Sequence, residues 1–216
     1  MSLDKKAIAN AVKEAKEKSE DRKFIQSIEL IVNLKDVDAK SAQGRIREQI
    51  ELPHALPEKQ NKICVIATGE LALRAKRSKA DLVMGREELE GIAGKRKDLR
   101  RLANEYDVFL SEAPLMPLVG KALGPVLGPR GKMPVAVPPN ADIGELIKKH
   151  CKIVSVRTRN QPVLQCSVGT ERMNEEDVAE NIETVLRAIQ RKLKRGMKNI
   201  GTVYTKTSMG PPTKIS

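Results

Sequence analysis

The 216-residue sequence has no tryptophan and only two phenylalanines and two tyrosines. Platforms that read single-stranded nucleic acid by stacking need several exposed rings, so this scarcity argues against that mode. Three cysteines (Cys64, Cys151, Cys166) and two histidines (His54, His150) are scattered widely. Zinc sites need four ligands in close pairs, so no metal is expected and the odd thiols read as reduced core residues. No triad-like grouping accompanies either histidine. No apolar stretch approaches the ~20 residues of a membrane span, and MSLDKKAIANAVK lacks an apolar signal core. These absences give the expectation of a cytoplasmic protein with no membrane partner.

A nucleotide site is absent too. In LGPRGKMPVAVPP (127–139) the pair Gly131-Lys132 resembles the end of a phosphate-binding loop. Such a loop needs a glycine where Val126 stands and a Ser or Thr where Met133 stands. There is no Gly-x-Gly-x-x-Gly and no convincing acid/base pair, so neither enzyme activity nor a cofactor is expected. The prolines of this stretch and Pro125 fix φ and remove donors, which predicts a segment that is neither regular helix nor sheet. Arg130 and Lys132 then have two readings, a solvated basic loop or auxiliary contacts to phosphate.

Present in excess is positive charge: 40 Lys and Arg against 28 Asp and Glu, a net +12. A balance this basic points to a polyanion. After Glu183 no acid follows, while Arg187, Arg191, Lys192, Lys194, Arg195, Lys198, Lys206 and Lys214 do. Cations at a helix end also favour the macrodipole, so Arg191, Lys194 and Lys198 are auxiliary candidates for polyanion contact with a purely structural alternative.

Periodicity gives the organisation. Leu3, Ala7, Ile8, Ala11, Val12 and Ala15 share a helical face over 3–18. A strand is predicted over 24–34, and RIREQIEL (45–52) alternates as a half-exposed strand does, with Glu48 the one charge on its apolar side. KICVIAT (62–68) is continuously apolar, as a strand buried on both faces must be. Helical stretches over 69–80 and 86–105 then alternate with strands over 80–85 and 106–112. Another helix is predicted over 114–124, and ADIGELIKKHC follows the proline-rich stretch. KIVSVRTRN and PVLQCSVG look like a hairpin. A long helix follows Asn174, a plausible N-cap, with Gly196 as its stop. GTVYTKTSMGPP closes the chain as a β-rich run. Antiparallel β with helices therefore flanks a parallel α/β unit, and the simplest topology inserts 62–151 into an outer domain built from 1–61 and 152–216.

GKALGPVLGPRGKMP, with TSMGPP near the C-terminus and RKFIQSIEL near the N-terminus, resembles the ribosomal protein L-one family of the large subunit. The likeness runs from about Arg22 to Pro211, and the Val-Pro-Pro after Met133-Pro134 looks like the archaeal form. The resemblance implies an α/β protein of two domains. One is an α+β outer domain with an antiparallel sheet that binds rRNA; the other is an inserted Rossmann-like domain with no nucleotide. It implies, as partners, large-subunit rRNA, exit-site tRNA, the messenger of its own operon (as a translational repressor) and other ribosomal components. It also implies a mobile stalk at the exit site and a monomer when free. A DNA- or RNA-binding regulator outside the ribosome is the alternative that charge alone permits.

The candidate RNA surface follows from the same likeness. TKTSMG supplies Thr205, Thr207 and Ser208 as hydroxyls, Met209 as an exposed apolar contact and Gly210 for close backbone approach; taken alone, it reads equally as an edge strand ending in a turn. The family pattern adds Phe24, Ser27, Glu29, Arg47 and Gly169. Arg47 also lies on the polar face of its alternating strand. In the insert, Lys95-Arg96-Lys97 and Arg100-Arg101 are either a solvated face or an approach to tRNA.

Overall fold

In the computed structural model, which describes residues 4–38, 41, 44–58, 60–78 and 80–215, Asp4 starts helix α1 (Lys5–Glu17) by accepting the Lys6 backbone N–H at 3.3 Å. Ile8, Ala11, Val12 and Ala15 form its buried stripe; Leu3, expected on the same face, lies outside the described residues. Along the chain follow β1 (Ser27–Leu34), β2 (Arg47–Glu51), β3 (Ile63–Ile66), α2 (Gly69–Arg77), β4 (Leu82–Met84), α3 (Arg86–Ile92), α4 (Arg96–Glu105) and β5 (Val108–Glu112). Then come α5 (Met116–Arg130), β6 (Val135–Val137), α6 (Ile143–Cys151), β7 (Ile153–Arg157), β8 (Val163–Thr170), α7 (Glu175–Lys192), β9 (Ile200–Thr207) and β10 (Thr213–Ile215). The chain divides into two units, Met1–Gln60 with Lys152–Ser216 and Asn61–Cys151.

The outer unit holds an antiparallel sheet ordered β10-β9-β1-β8 and a two-stranded sheet, β2-β7. Ile28, Leu30 and Val32 stand opposite Thr207, Thr205 and Val203, and all face one core with α1 and α7. Lys16 joins those helices, its Nζ 2.6 Å from both the Met173 carbonyl and Glu175 Oε1. Glu48, the charge on the inner side of β2, pairs with Lys192 at 3.0 Å. Asn174 takes the N-cap position of α7 without a side-chain cap bond. The helix stops at Lys192, before Gly196, whose φ of 55° opens a short 3-10 turn.

The inserted unit is a parallel sheet ordered β4-β3-β5-β6. Successive β3 residues feed different cores: Cys64 and Ile66 pack with α3, α4 and α5, Ile63 and Val65 with α2 and α6. That two-sided burial is the reason for the unbroken apolar run. Burial pushes the Cys64 thiol up to about 12. Cys166 and Cys151, less deeply placed, pack against the core of the outer unit and of the insert respectively, and burial raises both thiols. Among the described residues no helix is long and apolar enough to cross a membrane.

Three expectations need correction. First, β7 and β8 do not form a hairpin. β7 pairs with β2, placing Leu52 N–H 3.1 Å from the Lys152 carbonyl, so the strands flanking the insertion clasp each other; β8 pairs with β1. Second, the helix over 86–105 is broken between α3 and α4 near Gly94, whose φ is 86°. Third, the proline-rich stretch contains regular structure: α5 runs through Pro125 and Pro129 to Arg130, and β6 pairs with β5.

The physical reason in α5 is its facing. Val119, Leu123 and Leu127 recur every four residues on the fully buried side, while Pro125 and Pro129 lie exposed. Each interior proline costs about 3 kcal/mol, and three buried aliphatic side chains return about 1.5–3 kcal/mol apiece. Gly131, at φ 76°, ends the helix: its N–H bonds to Gly128 at 3.0 Å and that of Lys132 to Leu127 at 3.1 Å, an αL stop. Lys132 Nζ then caps the end of α4, reaching the carbonyls of Ala103 (3.2 Å) and Tyr106 (2.8 Å) and Asp107 Oδ1 (3.0 Å). Arg130 binds Asn104 Oδ1 at 2.5 Å. These are structural engagements within the insert, and they answer why a Gly-Lys pair stands where no nucleotide loop does.

Candidate nucleic-acid interface

Period-two alternation divides the four-stranded sheet of the outer unit. Opposite the core face stand Glu29, Ile31 and Asn33 of β1, Tyr204 and Lys206 of β9, and Ser167 of β8, all half-buried. At the end where β1 begins, two large apolar side chains project: Phe24 is 54% exposed and Met209 62%. Among the described residues of this unit these are the exposed large hydrophobics, and both sit at one sheet end.

Beneath them lies a polar base. Gln26, 1% exposed, donates from Nε2 to Ser19 Oγ at 2.8 Å and to the Glu20 carbonyl at 3.0 Å. Its Oε1 accepts the Met209 backbone N–H at 3.1 Å. Ser208 Oγ accepts the Ser27 N–H at 3.2 Å. Thr207 Oγ1 donates to Ser19 Oγ at 2.9 Å and accepts the Gly210 N–H at 3.1 Å. These bonds tie the segment after α1, the start of β1 and the turn after β9 into one piece. Breaking one would leave a buried polar group unpaired, at about 1–3 kcal/mol.

The expected site residues therefore separate. Phe24 precedes β1 instead of beginning it. Ser27, Thr207, Ser208, Met209 and Gly210 converge on the base, and Glu29 lies on the outward face. Thr205 and Thr207 are fully buried, which corrects the expectation that they offer outward hydroxyls: they share a strand face with Val203, and that face meets the core. Gly210 is also buried; a Cβ there would collide with Thr207 Oγ1, so the close approach it permits is internal. At Gly169 a Cβ would stand 2.7 Å from Val178 Cγ2, so the space this glycine leaves is filled by α7. Arg191, Lys194 and Lys198 are exposed, but the turn containing Lys198 bonds to Lys35, beyond the far end of β1. An eight-residue strand puts roughly 23 Å between that end and Ser27.

Arg47 is exposed on β2, directly opposite Arg157 of β7. Next to them Ser155, Arg157, Arg159, Asn160 and Gln165 line a polar groove of about 470 Å³. The sequence reading missed Gln26 and this groove. Alternation in KIVSVRTRN does set Ser155 and Arg157 on one face; nothing local marks Gln26, whose partners are near in chain on one side only.

Open parallel sheets bind ligands beyond the carboxyl ends of their strands. In the insert that position is held internally: Glu112 Oε2 accepts both the N–H and the Oγ1 hydroxyl of Thr68, each at 2.9 Å, at the start of α2. A carboxylate stands where a phosphate would need to be, and Glu87 and Glu88 line the adjoining cleft. Among the described residues no group of three or more His, Cys, Asp or Glu side chains is placed to hold a metal.

The model of the Ribosomal protein L1p/L10e family matches residues 10–211. The chain is 48% identical over 216 residues to the large ribosomal subunit protein uL1 of Pyrococcus abyssi, covering 100% of this chain and 98% of that one. It is 47% identical over 213 residues to the large ribosomal subunit protein uL1 of Hyperthermus butylicus, covering 99% of this chain and 97% of that one. The uL1 protein of Methanothermobacter thermautotrophicus is 47% identical over 208 residues, covering 96% and 98%.

Proposed function

We propose, from the premise that this chain belongs to the Ribosomal protein L1p/L10e family, that it is a structural protein of the large ribosomal subunit and binds large-subunit rRNA through the outer unit. The observation that carries this reading is the pair of exposed apolar side chains, Phe24 and Met209, standing on a buried, bonded polar base. Water does not favour such projection, and a fixed base prevents the pair from folding away. Folded RNA offers both halves of a complement: splayed bases for apolar contact, and 2′-hydroxyls and phosphates for polar groups. Arg47, Arg157 and Arg159 extend the surface with charge suited to phosphate, which sets register. Thr207 and Gly210 act from beneath, holding the turn in its binding shape.

The finer roles build on that surface. A segment of the chain's own messenger that copies the rRNA fold would compete for it, giving repression when free rRNA is scarce. Exit-site tRNA is met by the inserted unit at the exposed cations Lys95, Lys97 and Arg101. Chemical footprinting of the full-length protein on large-subunit rRNA tests the reading. A compact protected site should vanish with Phe24→Ala plus Met209→Ala, and the leader of the operon's messenger should compete it away. Protection unchanged by the double substitution would overturn the assignment.

A further inference from the structure

The insert has a second feature that rRNA binding by the outer unit does not use. Between α4 and α5 runs a groove of about 760 Å³ whose floor includes Leu99, Leu118, Ala122 and Val126, continuous with the core beneath. Arg96, Arg100 and Lys121 line it, all exposed and none with an ion-pair partner among the described residues. Lys121, Pro125 and Pro129 recur every four residues along the groove. Each proline lacks an N–H, which releases the carbonyl four residues earlier, on Lys121 and Pro125, from the helical ladder. The groove thus combines an apolar floor with cations over the roughly 16 Å from Leu118 to Pro129.

We infer that this groove docks an acidic, amphipathic helix of a partner protein. An apolar floor between helices takes an apolar stripe repeating at three and four residues, the usual helix-in-groove mode. The three unpaired cations select carboxylates on the flanks of that stripe. A nucleic acid would satisfy the cations but not the floor: among the described residues lining the groove there is no aromatic ring for a base to stack upon.

The test uses the full-length protein and a fluorescein-labelled helical peptide of about 18 residues, roughly 27 Å long, built from Glu, Ala and a Leu stripe. Controls are a scrambled peptide of equal composition, the same stripe with Lys for Glu, and a uridine oligonucleotide. At about 0.15 M salt, where exposed charges are screened beyond roughly 8 Å, the striped acidic peptide should bind and both peptide controls should bind about tenfold or more weakly. Arg96→Glu with Arg100→Glu, surface changes that leave the core intact, should weaken the striped peptide about tenfold or more. Ala122→Glu should do the same by charging the floor. Equal binding of striped and scrambled peptides would overturn the proposal, as would variants that bind the striped peptide as wild type does. Loss of oligonucleotide binding in the Arg96/Arg100 variant, with the striped peptide unaffected, would overturn it in favour of an RNA surface.

Discussion

The outer unit rests one face of its antiparallel sheet on α1 and α7 and turns half-buried side chains outward on the other, whereas the inserted parallel sheet has a separate core cluster on each face. The contrast follows from connectivity. Parallel strands need crossover helices, and these cover both faces. An antiparallel sheet leaves a face for a ligand, and its strand ends bring distant segments together, as Gln26 and Met209 meet here. In the insert, surface features are left to helix grooves and loop ends. Recognition of rRNA is accordingly proposed on the outer unit, and tRNA contact and helix docking on the insert.

The sharpest way to break this division is at the two exposed side chains. Phe24→Ala with Met209→Ala should cost about 2 kcal/mol per anchor, hundreds-fold in affinity for cognate rRNA if the two act independently. Filter binding against a scrambled RNA at fixed salt measures it. An unchanged specificity ratio would remove the reading surface from this end of the sheet.

Next come the buried supports, whose effects should appear first in stability. Thr207→Val removes both bonds of its hydroxyl and leaves the Gly210 N–H unpaired, a loss of about 1–3 kcal/mol. Gly169→Ala presses a methyl against Val178 and should cost a similar 1–3 kcal/mol through overpacking. Urea melts should show both shifts. Gly169→Ala that still folds should retain RNA affinity; a specific loss of affinity at full stability would return Gly169 to the binding face.

Acid provides a smaller handle on the outer unit alone. Lys5 and His54, both bonded to Glu180, hold its carboxyl down at about 2, and Lys16 lowers that of Glu175. A depressed carboxylate stabilises the fold above its unfolded value, and this contribution fades as pH falls from about 4.5 toward 2. A probe in the outer unit should therefore report declining denaturant resistance in that window, and Glu180→Gln should flatten the decline. A pH profile identical in wild type and Glu180→Gln would show that the α1–α7 link contributes nothing.

The smallest expected effect is the most discriminating. Replacing 61–151 with a short Gly-Ser linker should change rRNA affinity less than about threefold, because β2 and β7 already hold the ends of the insertion together. A folded deletion protein that lost specific binding would relocate the site to the insert.

The sequence by itself determined the fold class. A strand covered on one side must alternate and a strand covered on both cannot, so RIREQIEL and KICVIAT announced different sheets. Helix faces such as that of α1 were legible for the same reason: burial imposes a period on neighbouring residues. Tertiary structure decided what a local period leaves free. Alternation in GTVYTKT separates Thr205 and Thr207 from Tyr204 and Lys206 but does not say which set faces the core; pairing with Leu30 and Ile28 does. Proline in α5 looked like an end to regular structure until packing of Val119, Leu123 and Leu127 outweighed two missing hydrogen bonds. Strand partnership was likewise a long-range choice, since β7 meets β2 across an intervening domain. The support under the candidate site has the same origin: Gln26 acquires its role from Met209, 183 residues away, through a bond that exists only after folding.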